Sequence, residues 1–369
     1  MDIFATIADL IKFRTETGNS EEIMKAARYI RDKFANTDVN VEIFQSDASP
    51  VIFLRNTDSL DFDVLILGHI DVVPATDDMF IPQIKNGKMY GRGTLDMKSF
   101  AAVALNSMEY VVQNKLPLKF GVILSTDEEK GSKSTASFLK AYHKINAEIV
   151  LDNDVGGDIN KIITKCKNPV FIKLIAHGKE AHGSTPWEGI DANELIIQTW
   201  NNIRKLYPYY SSESDKPDDT WFDTVHMATI TGGQVSNVIS NYAEALLDFR
   251  LTENSSIDNL CHNLDNCLLP NVTYEIISSS TPVVMSENNP YILDYKHFAE
   301  QILGRTIEFE HIGGATDSRS FAVKGSIVIM HSGTGEGMHA TGEYVDLNSV
   351  NQIADIQIKF LEHLSANKK

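Results

Sequence analysis

Residues 63–74, DVLILGHIDVVP, decide the fold of this chain. The apolar run from Val64 to Leu67 is short and rich in branched side chains, which predicts a buried strand of a parallel sheet. His69 and Asp71 follow at the carboxyl end of this strand, where ligands collect in open α/β sheets. A neutral imidazole can bind zinc, and a nearby carboxylate commonly holds its second nitrogen. The stretch therefore predicts an α/β domain with a candidate metal ligand at His69.

Two further stretches place acidic groups in the same setting. Residues 90–102, YGRGTLDMKSFAA, carry Asp96 in a loop before a helix. Residues 120–126 predict a second buried strand, which runs directly into Asp-Glu-Glu at 127–129. A single His-x-Asp or a single acidic turn is more often surface chemistry. Because three segments carry such groups at strand ends, the set predicts a metal centre.

The three segments GHIDVVP, YGRGTLDMKSF and STDEEKGS resemble the ordered motifs of the zinc-dependent exopeptidase and deacylase family. Members of this family include acetylornithine deacetylase, succinyl-diaminopimelate desuccinylase, carboxypeptidase G, aminoacylase, dipeptidases and peptidase T. The resemblance extends over nearly the whole chain. It implies an α/β catalytic domain with a mostly parallel sheet and an inserted α+β lid that also forms a dimer.

The resemblance also implies two Zn²⁺ ions per subunit, with Co²⁺ or Mn²⁺ as possible substitutes. Asp96 would bridge the two ions. His69 and Asp152 would complete the first site, and Glu129 and His339 the second. His339 lies in the closing motif GEGMHATGEYV at 335–345.

Asp152 is chosen as a ligand because it follows an apolar strand at 148–151, and Asp154 is the alternative. Deacetylase-like members usually carry Gly-Glu-Pro-Thr near this point, which the chain lacks. Its pattern Asp-x-x-x-x-Gly-x-Ile at 152–159 is closer to the peptidase T and dipeptidase branch. The substrate class therefore stays open.

The catalytic roles follow from the same resemblance. Glu128 would take a proton from a metal-activated water and pass it to the leaving amine. Asp71 would orient His69. The resemblance also implies a cis peptide bond between Asp96 and Met97. The remaining histidines, His331 among them, lie in no motif and are interpreted as structural or surface residues.

Lid motifs supply candidate substrate contacts. His182, in GKEAHGSTP at 178–186, resembles the family's lid histidine and would stabilise the oxyanion together with Asn237. Arg250 ends the segment Asp-Phe-Arg and resembles the family's substrate arginine, which suits a carboxylate.

A glycine-rich turn, GGATDSR at 313–319, resembles the family's Gly-Gly-x-Thr-Asp loop. Such turns present backbone donors to an anion. Its Gly314, Asp317 and Arg319 are the remaining substrate-binding candidates.

The chain length and a change in the pattern of strand and helix signals predict two domains. A chain of 369 residues exceeds the usual size of a single core. Strand and helix signals alternate to about residue 150, and alternating strands then mix with helices before these signals resume. The predicted catalytic domain is 1–167 with 281–369, and the lid is 168–280. Ser20 is a candidate helix N-cap. Either 171–176 or 224–231 is a candidate edge strand for a homodimer formed through the lid.

Composition limits the partners. A net charge of −17 opposes binding to nucleic acid or an anionic membrane, since both require clustered Lys and Arg. The three cysteines lack Cys-x-x-Cys spacing and predict thiols in a reducing compartment. With no signal-like start and no long apolar run, we expect a cytoplasmic protein.

The predicted reaction is hydrolysis of an amide or peptide bond in a small carboxylate-bearing substrate, either a di- or tripeptide or an N-acyl amino acid. One alternative is a zinc-binding relative that acts as a carrier or regulator, and the intact Glu128 argues against it. A nucleotide-binding enzyme is the other, but no Gly-x-Gly-x-x-Gly or Walker loop follows a first strand.

Overall fold

The computed structural model describes residues 1–207, 217 and 220–368. The chain forms two compact units. Unit 1 contains Met1–Thr164, Met285–Glu310 and Thr316–Lys369, and unit 2 contains Lys165–Val284 and His311–Ala315. The sequence-based boundaries at 167/168 and 280/281 lie near these limits, whereas the return of the short segment 311–315 to unit 2 was not anticipated.

The described residues contain the following elements. The helices are Ile3–Lys12 (α1), Ser20–Lys33 (α2), Lys98–Gln113 (α3), Lys133–Ala141 (α4), Ala192–Leu206 (α5), Ile257–Cys267 (α6), Pro290–Leu303 (α7), Arg319–Ala322 (α8) and Leu347–Ala366 (α9). The strands are Asn40–Phe44 (β1), Val51–Arg55 (β2), Asp61–His69 (β3), Gln83–Lys85 (β4), Lys88–Tyr90 (β5), Phe120–Ser125 (β6), Asn146–Asp152 (β7), Lys161–Cys166 (β8), Asn168–His177 (β9), Thr224–Gly232 (β10), Tyr242–Leu251 (β11), Val272–Ser279 (β12), Val283–Val284 (β13), Glu308–Ile312 (β14), Ile327–His331 (β15), Gly335–Glu336 (β16) and Tyr344–Asp346 (β17).

The large sheet of unit 1 has a parallel centre. Its strand order is β1-β2-β6-β3-β7-β15-β8, and β6, β3, β7 and β15 pair in parallel, while β1, β2 and β8 pair antiparallel. The register places His69 opposite Ser125, and Asp152 opposite both Leu67 and Met330. The carboxyl ends of the four parallel strands therefore meet at one edge, and the prediction of a mostly parallel sheet is confirmed.

Helix α3 shows how this edge is supported. The helix contacts β3 and β6 on one side and α1 and α9 on the others, and residues from Lys98 to Leu105 are all buried. Its apolar surroundings explain why its sequence is hydrophobic on nearly every face. The helix begins just after Asp96, so the loop that carries this aspartate is attached to a well-packed element.

Two local predictions are tested directly. The peptide bond between Asp96 and Met97 is cis, as the resemblance implied. The assignment of Ser20 as an N-cap was wrong by one residue. The cap is Asn19, whose side chain accepts a hydrogen bond from the backbone N–H of Glu22, and Ser20 is the first helical residue.

Unit 2 is built on an antiparallel sheet with the order β10-β11-β9-β12. Alternate residues of β9 are buried, and they form the core of this unit together with the apolar side chains of α5 and α6. Strand β10 lies at an edge, in agreement with the candidate at 224–231. The other candidate, 171–176, was wrong because β12, which the sequence analysis did not identify, pairs with β9 along its open side.

A small antiparallel sheet, β16-β17-β5-β4, completes unit 1. It pairs the segment before the Asp96 loop with the segment after His339. No helix among the described residues has the length and apolar character needed to cross a membrane.

Candidate metal centre

His69 ends β3 at the parallel edge and is almost fully buried. Its Nδ1 lies 3.0 Å from the main-chain oxygen of Asp71 and 3.4 Å from a carboxylate oxygen of the same residue. These acceptors favour a proton on Nδ1, so Nε2 is the atom available to a ligand. Nε2 points at Asp96, with 2.9 Å to Oδ1.

Asp96 lies between two histidines. Its Oδ1 faces His69, and its Oδ2 lies 2.9 Å from Nε2 of His339, which is also 3.0 Å from Oε2 of Glu129. Two groups of ligand atoms result, each with all atoms within 4.8 Å of one another: His69, Asp96 and Asp154, and Asp96, Glu129 and His339. The shared Asp96 has the position that a bridging ligand needs.

The geometry favours Asp154 over the sequence-based choice, Asp152. Oδ2 of Asp154 lies 3.9 Å from Nε2 of His69. Asp152 is the last residue of β7, and its Oδ1 accepts a hydrogen bond from the backbone N–H of Asp154 at 2.9 Å. The carboxylate of Asp152 is therefore bound to its own loop, and Asp154 provides the ligand atom near His69.

The centre holds more acidic groups than its own bases can balance. Burial and the neighbouring Asp96 raise the pKa of Glu129 to about 7. Burial and Glu128 raise the pKa of Asp154 well above its usual range. Burial would also raise the pKa of Asp96, but the two histidines hold it well down. Such crowding of oxygen and imidazole donors fits divalent cations, whose charge would stabilise every carboxylate in its ionised form.

Glu128 and Glu129 follow β6 in a single helical turn. Burial, reinforced by Asp317, Asp71 and Asp96, raises the pKa of Glu128 to about 8. The backbone N–H groups of Glu128 and Glu129 donate to the two carboxylate oxygens of Asp71. Asp71 therefore contacts His69 and also holds the start of the acidic turn, and its orienting role stays a prediction.

Glu343 and Arg92 were not predicted as functional residues, although both lie inside the motifs GEGMHATGEYV and YGRGTLDMKSFAA. Glu343 is fully buried, accepts a hydrogen bond from Arg92 at 2.6 Å, and contacts the backbone of the loop that carries Asp96. The only available signal was its position in the motif GEGMHATGEYV, four residues after His339.

Unit 2 brings His182 and Asn237 together. The backbone N–H of Gly183 donates to the carbonyl oxygen of Asn237 at 2.7 Å, and His182 is bridged to Val238. The His182 side chain is exposed, and its Nδ1 lies 2.8 Å from the hydroxyl of Ser184. The loops that carry His182 and Asn237 lie near the Tyr242 end of β11. The carbonyl oxygen of Asn241, just before this strand, accepts a hydrogen bond from the backbone N–H of Gly178.

Arg250 lies near the opposite end of β11. Its Nε and Nη2 donate to the two oxygens of Asp248 at 2.8 and 3.0 Å, so Nη1 is directed away from this pair. Arg250 lines a cavity of about 430 Å³ within unit 2, together with His226, His311 and Gly313. Arg250 and the glycine-rich turn that contains Gly314 therefore lie close together, as a shared substrate contact requires.

The other two candidates of the turn belong to unit 1. Asp317 accepts a hydrogen bond from the hydroxyl of Thr135 on α4, and burial raises its pKa. Arg319 begins α8, and its charge partly offsets this effect of burial on Asp317. Asp317 thus ties the turn to α4 and contributes to the charge around Glu128.

Comparisons with known proteins identify the family of this chain. A family model described as peptidase family M20/M25/M40 matches residues 65–363. A probable succinyl-diaminopimelate desuccinylase of Staphylococcus aureus is 25% identical, over 96% of this chain and 97% of the relative. A succinyl-diaminopimelate desuccinylase of Helicobacter hepaticus is 27% identical, over 82% of this chain and 80% of the relative.

Solved structures show the same fold. An M20 family metallo-carboxypeptidase of Sulfolobus solfataricus superimposes with a TM-score of 0.82 at 16% identity, over 99% of this chain and all of the other. An aminopeptidase, PepT, of Bacillus cereus gives 0.79 at 17% identity, over 98% of both chains. With the family match spanning most of its length, this chain belongs to peptidase family M20/M25/M40 and is a hydrolytic enzyme.

Proposed function

We propose that the protein is a dinuclear zinc hydrolase that cleaves an amide or peptide bond in a small carboxylate-bearing substrate. The observation that carries the proposal is the pair of ligand groups that share Asp96, with Glu128 next to the ligand Glu129 and close enough to Asp96 to feel its charge. The names of the relatives, desuccinylase, carboxypeptidase and aminopeptidase, fall within this reaction class.

The first ion would be held by His69, Asp96 and Asp154, and the second by Asp96, Glu129 and His339. In this proposal Asp154 replaces Asp152 as the terminal ligand of the first site. When bound, two divalent ions polarise the substrate carbonyl and lower the pKa of the attacking water. Co²⁺ or Mn²⁺ could occupy the same oxygen and nitrogen donors.

Glu128 is the proposed proton carrier. Its carboxylate would take the proton of the attacking water and deliver it to the nitrogen of the leaving amine. The support is positional, since Asp71 holds the backbone of Glu128 and also orients His69. One buried carboxylate thus fixes both a ligand and the base.

The cavity beside Arg250 is the proposed site for the substrate carboxylate. With Nε and one Nη2 hydrogen committed to Asp248, the remaining N–H groups on Nη1 and Nη2 can donate two parallel hydrogen bonds to a substrate carboxylate. Donors from the turn at Gly313 and Gly314 would complete the contact. This assignment fits dipeptides, tripeptides and N-acyl amino acids equally well.

We also propose a homodimer in which His182 acts in the partner's active site. Within unit 2, the His182 and Arg250 regions lie at opposite ends of β11, and the span from Tyr242 to Arg250 is about 26 Å at 3.3 Å per residue. A dipeptide cannot contact both ends. Among the strands that the structure describes, β10 pairs on one side only, so its other side could pair with a second copy.

We further propose that the protein works in a reducing compartment, the cytoplasm, because its three cysteines are free thiols.

A substrate panel tests the proposal. The metal-loaded enzyme is assayed with N-succinyl and N-acetyl amino acids, dipeptides and tripeptides, each paired with a control whose terminal carboxylate is converted to an amide. We expect one acid series to be hydrolysed, its amide controls to react poorly, and chelation to abolish turnover. Metal binding without hydrolysis of any member would favour the carrier or regulator instead.

A further inference from the structure

We propose that Arg92 and Glu343 form a clamp that positions the bridging ligand Asp96 and the terminal ligand His339 as one unit. This inference rests on the proposed metal centre. Neither residue belongs to a group of candidate metal ligands, so both are positioning residues that act through the two ligands.

The carboxylate of Glu343 binds the backbone of the loop that carries Asp96. Its Oε1 accepts from the backbone N–H groups of Leu95 at 2.8 Å and Asp96 at 3.2 Å, and its Oε2 accepts from Gly93 N–H at 3.0 Å and from Arg92 at 2.6 Å. Four donors converge on one carboxylate with no solvent exposure. The backbone of Asp96 is therefore fixed by a group that does not touch its side chain.

Arg92 closes the clamp on the other side. Its Nη1 bonds to Glu343, and its Nη2 donates to the carbonyl oxygen of Ala340 at 3.3 Å. The backbone N–H of Gly91 also donates to the carbonyl oxygen of Glu343 at 3.1 Å. The loops 91–96 and 339–343 are thus joined at several points, and each carries one ligand of the second metal group.

The clamp is well placed to control His339. This residue has a φ of 60°, in the left-handed region that residues other than glycine rarely adopt. Its side chain is half exposed, so little packing holds it. Arg92 bonds to the next residue, Ala340, and supplies a fixed point beside the strained position. Such conformations persist when surrounding contacts determine them.

The test compares Co²⁺ binding in wild type, Glu343→Gln and Arg92→Lys. Equilibrium dialysis gives the number of ions and their affinities, and the visible absorption of bound Co²⁺ reports ligand geometry. Loss of a group that orients metal ligands typically lowers metal affinity about 10–100-fold. We expect a decrease of this size for the second ion in both variants, and a changed spectrum.

Stability measurements separate positioning from a merely structural role. The metal-dependent increase in Tm, measured between chelated and Co²⁺-loaded protein, should shrink in both clamp variants. Two controls lie on α9: Ile353→Ala removes packing in the buried core, and Glu362→Gln changes the same functional group where it accepts from Tyr110 and Lys359. Both controls should keep the wild-type increase.

The outcomes are distinguishable. If wild type binds no Co²⁺, the proposed metal centre itself is wrong. If wild type binds two ions and both clamp variants show unchanged affinities, spectra and Tm increases, the clamp is wrong while the proposed function stands. Should Glu343→Gln not fold, Arg92→Lys decides alone, because it preserves the buried positive charge and removes only the fork that reaches Ala340.

Discussion

The parallel edge of unit 1 and the antiparallel sheet of unit 2 organise their predicted functional residues in opposite ways. In unit 1, residues far apart in sequence converge, so that Asp96 contacts both His69 and His339 at 2.9 Å. In unit 2, candidates on one sheet separate into two groups, with His182 and Asn237 near one end of β11 and Arg250 near the other.

Strand direction explains the contrast. Parallel strands all end at the same edge, so the loops after β3, β6 and β7 lie side by side. Antiparallel strands alternate direction, and residues before and after a long strand such as β11 are kept a full strand length apart. Unit 1 can therefore hold a complete centre, whereas unit 2 presents two separate contact regions.

The largest expected effect tests the completeness of the unit 1 centre. Glu128→Gln preserves the size of the side chain and removes its basicity, so we expect turnover to fall by at least about 10²–10⁴-fold. Metal content should be unchanged, because Glu128 belongs to neither ligand group. Stopped-time product assays with elemental analysis of the same samples give both quantities. Normal turnover in this variant would assign the base to another residue.

A mixed dimer tests the separation within unit 2. His182→Ala should lower turnover by about 10²–10³-fold through loss of oxyanion stabilisation. Subunits of His182→Ala and Glu128→Gln are then exchanged. If His182 acts in the partner's site, the His182→Ala chain keeps its own Glu128 and receives an intact His182, so one site per mixed dimer is whole.

Activity of the mixed dimer should approach half that of wild type. Exchange is verified with two different affinity tags, and each parent variant exchanged with itself is the matched control. Verified exchange without recovered activity would place His182 in its own chain's site or outside catalysis, and the two ends of β11 would then need another explanation.

The contrast also explains what could be predicted from the sequence. Short apolar strands followed by His, Asp or Glu have a strong pattern, and the parallel edge then gathers them without further information. Periodicity cannot fix the last residue of a strand, so the choice between Asp152 and Asp154 could not be made from it. In the structure, the carboxylate of Asp152 accepts a hydrogen bond from the backbone N–H of Asp154, a contact that periodicity does not reveal.

Other features lacked a local signal altogether. Strand β12 was not identified, and this omission produced the wrong edge assignment for 171–176, because edges depend on which strands pair. Glu343 was missed for a similar reason. Three of its four donors are backbone N–H groups near Asp96, about 250 residues earlier, and no side-chain pattern records such contacts.

Substitution of the two aspartates sharpens the description of unit 1. Asp154→Ala should remove one of two bound ions, because Asp154 completes the first ligand group. Asp152→Asn should keep both, since an amide oxygen can still accept the bond from the Asp154 N–H. Elemental analysis after dialysis against buffered Zn²⁺ decides. The reverse result would restore Asp152 as the ligand.

A smaller effect concerns the cavity in unit 2. Arg250→Lys keeps the charge but loses the planar fork, so KM for the best acid substrate should rise about tenfold or more. The amide-blocked control substrate should show little change in its specificity constant. Equal effects on acid and amide substrates would mean that Arg250 supports the fold through Asp248 and does not bind the carboxylate.

The last expected effect is on stability and leaves catalysis aside, and it tests whether every polar residue at the parallel edge belongs to the metal centre. His331 ends β15 at this edge, yet its Nε2 bonds to the carbonyl oxygen of Ile159 at 2.8 Å. Burial lowers the pKa of His331 to about 4, although Ile159 and Asp158 act in the opposite direction. We therefore interpret His331 as a neutral structural residue, unlike His69, whose pKa is raised by Asp71 and Asp96 despite its burial.

The sign of the pH effect follows from this difference. The unfolded chain binds a proton on His331 below about pH 6.5, whereas the folded chain resists protonation until about pH 4. The contribution of His331 to the free energy of unfolding should therefore be fully present above pH 6.5 and decline as the pH falls toward 4, by up to about 3 kcal/mol.

Urea unfolding of chelated wild type and His331→Gln across this range measures the difference, with the exposed His297→Gln as control. The His331→Gln curve should be flatter than that of wild type, while the control should follow wild type. Parallel curves for all three proteins would mean that His331 is not held neutral, and the distinction between metal-centre and structural residues at this edge would lose its physical basis.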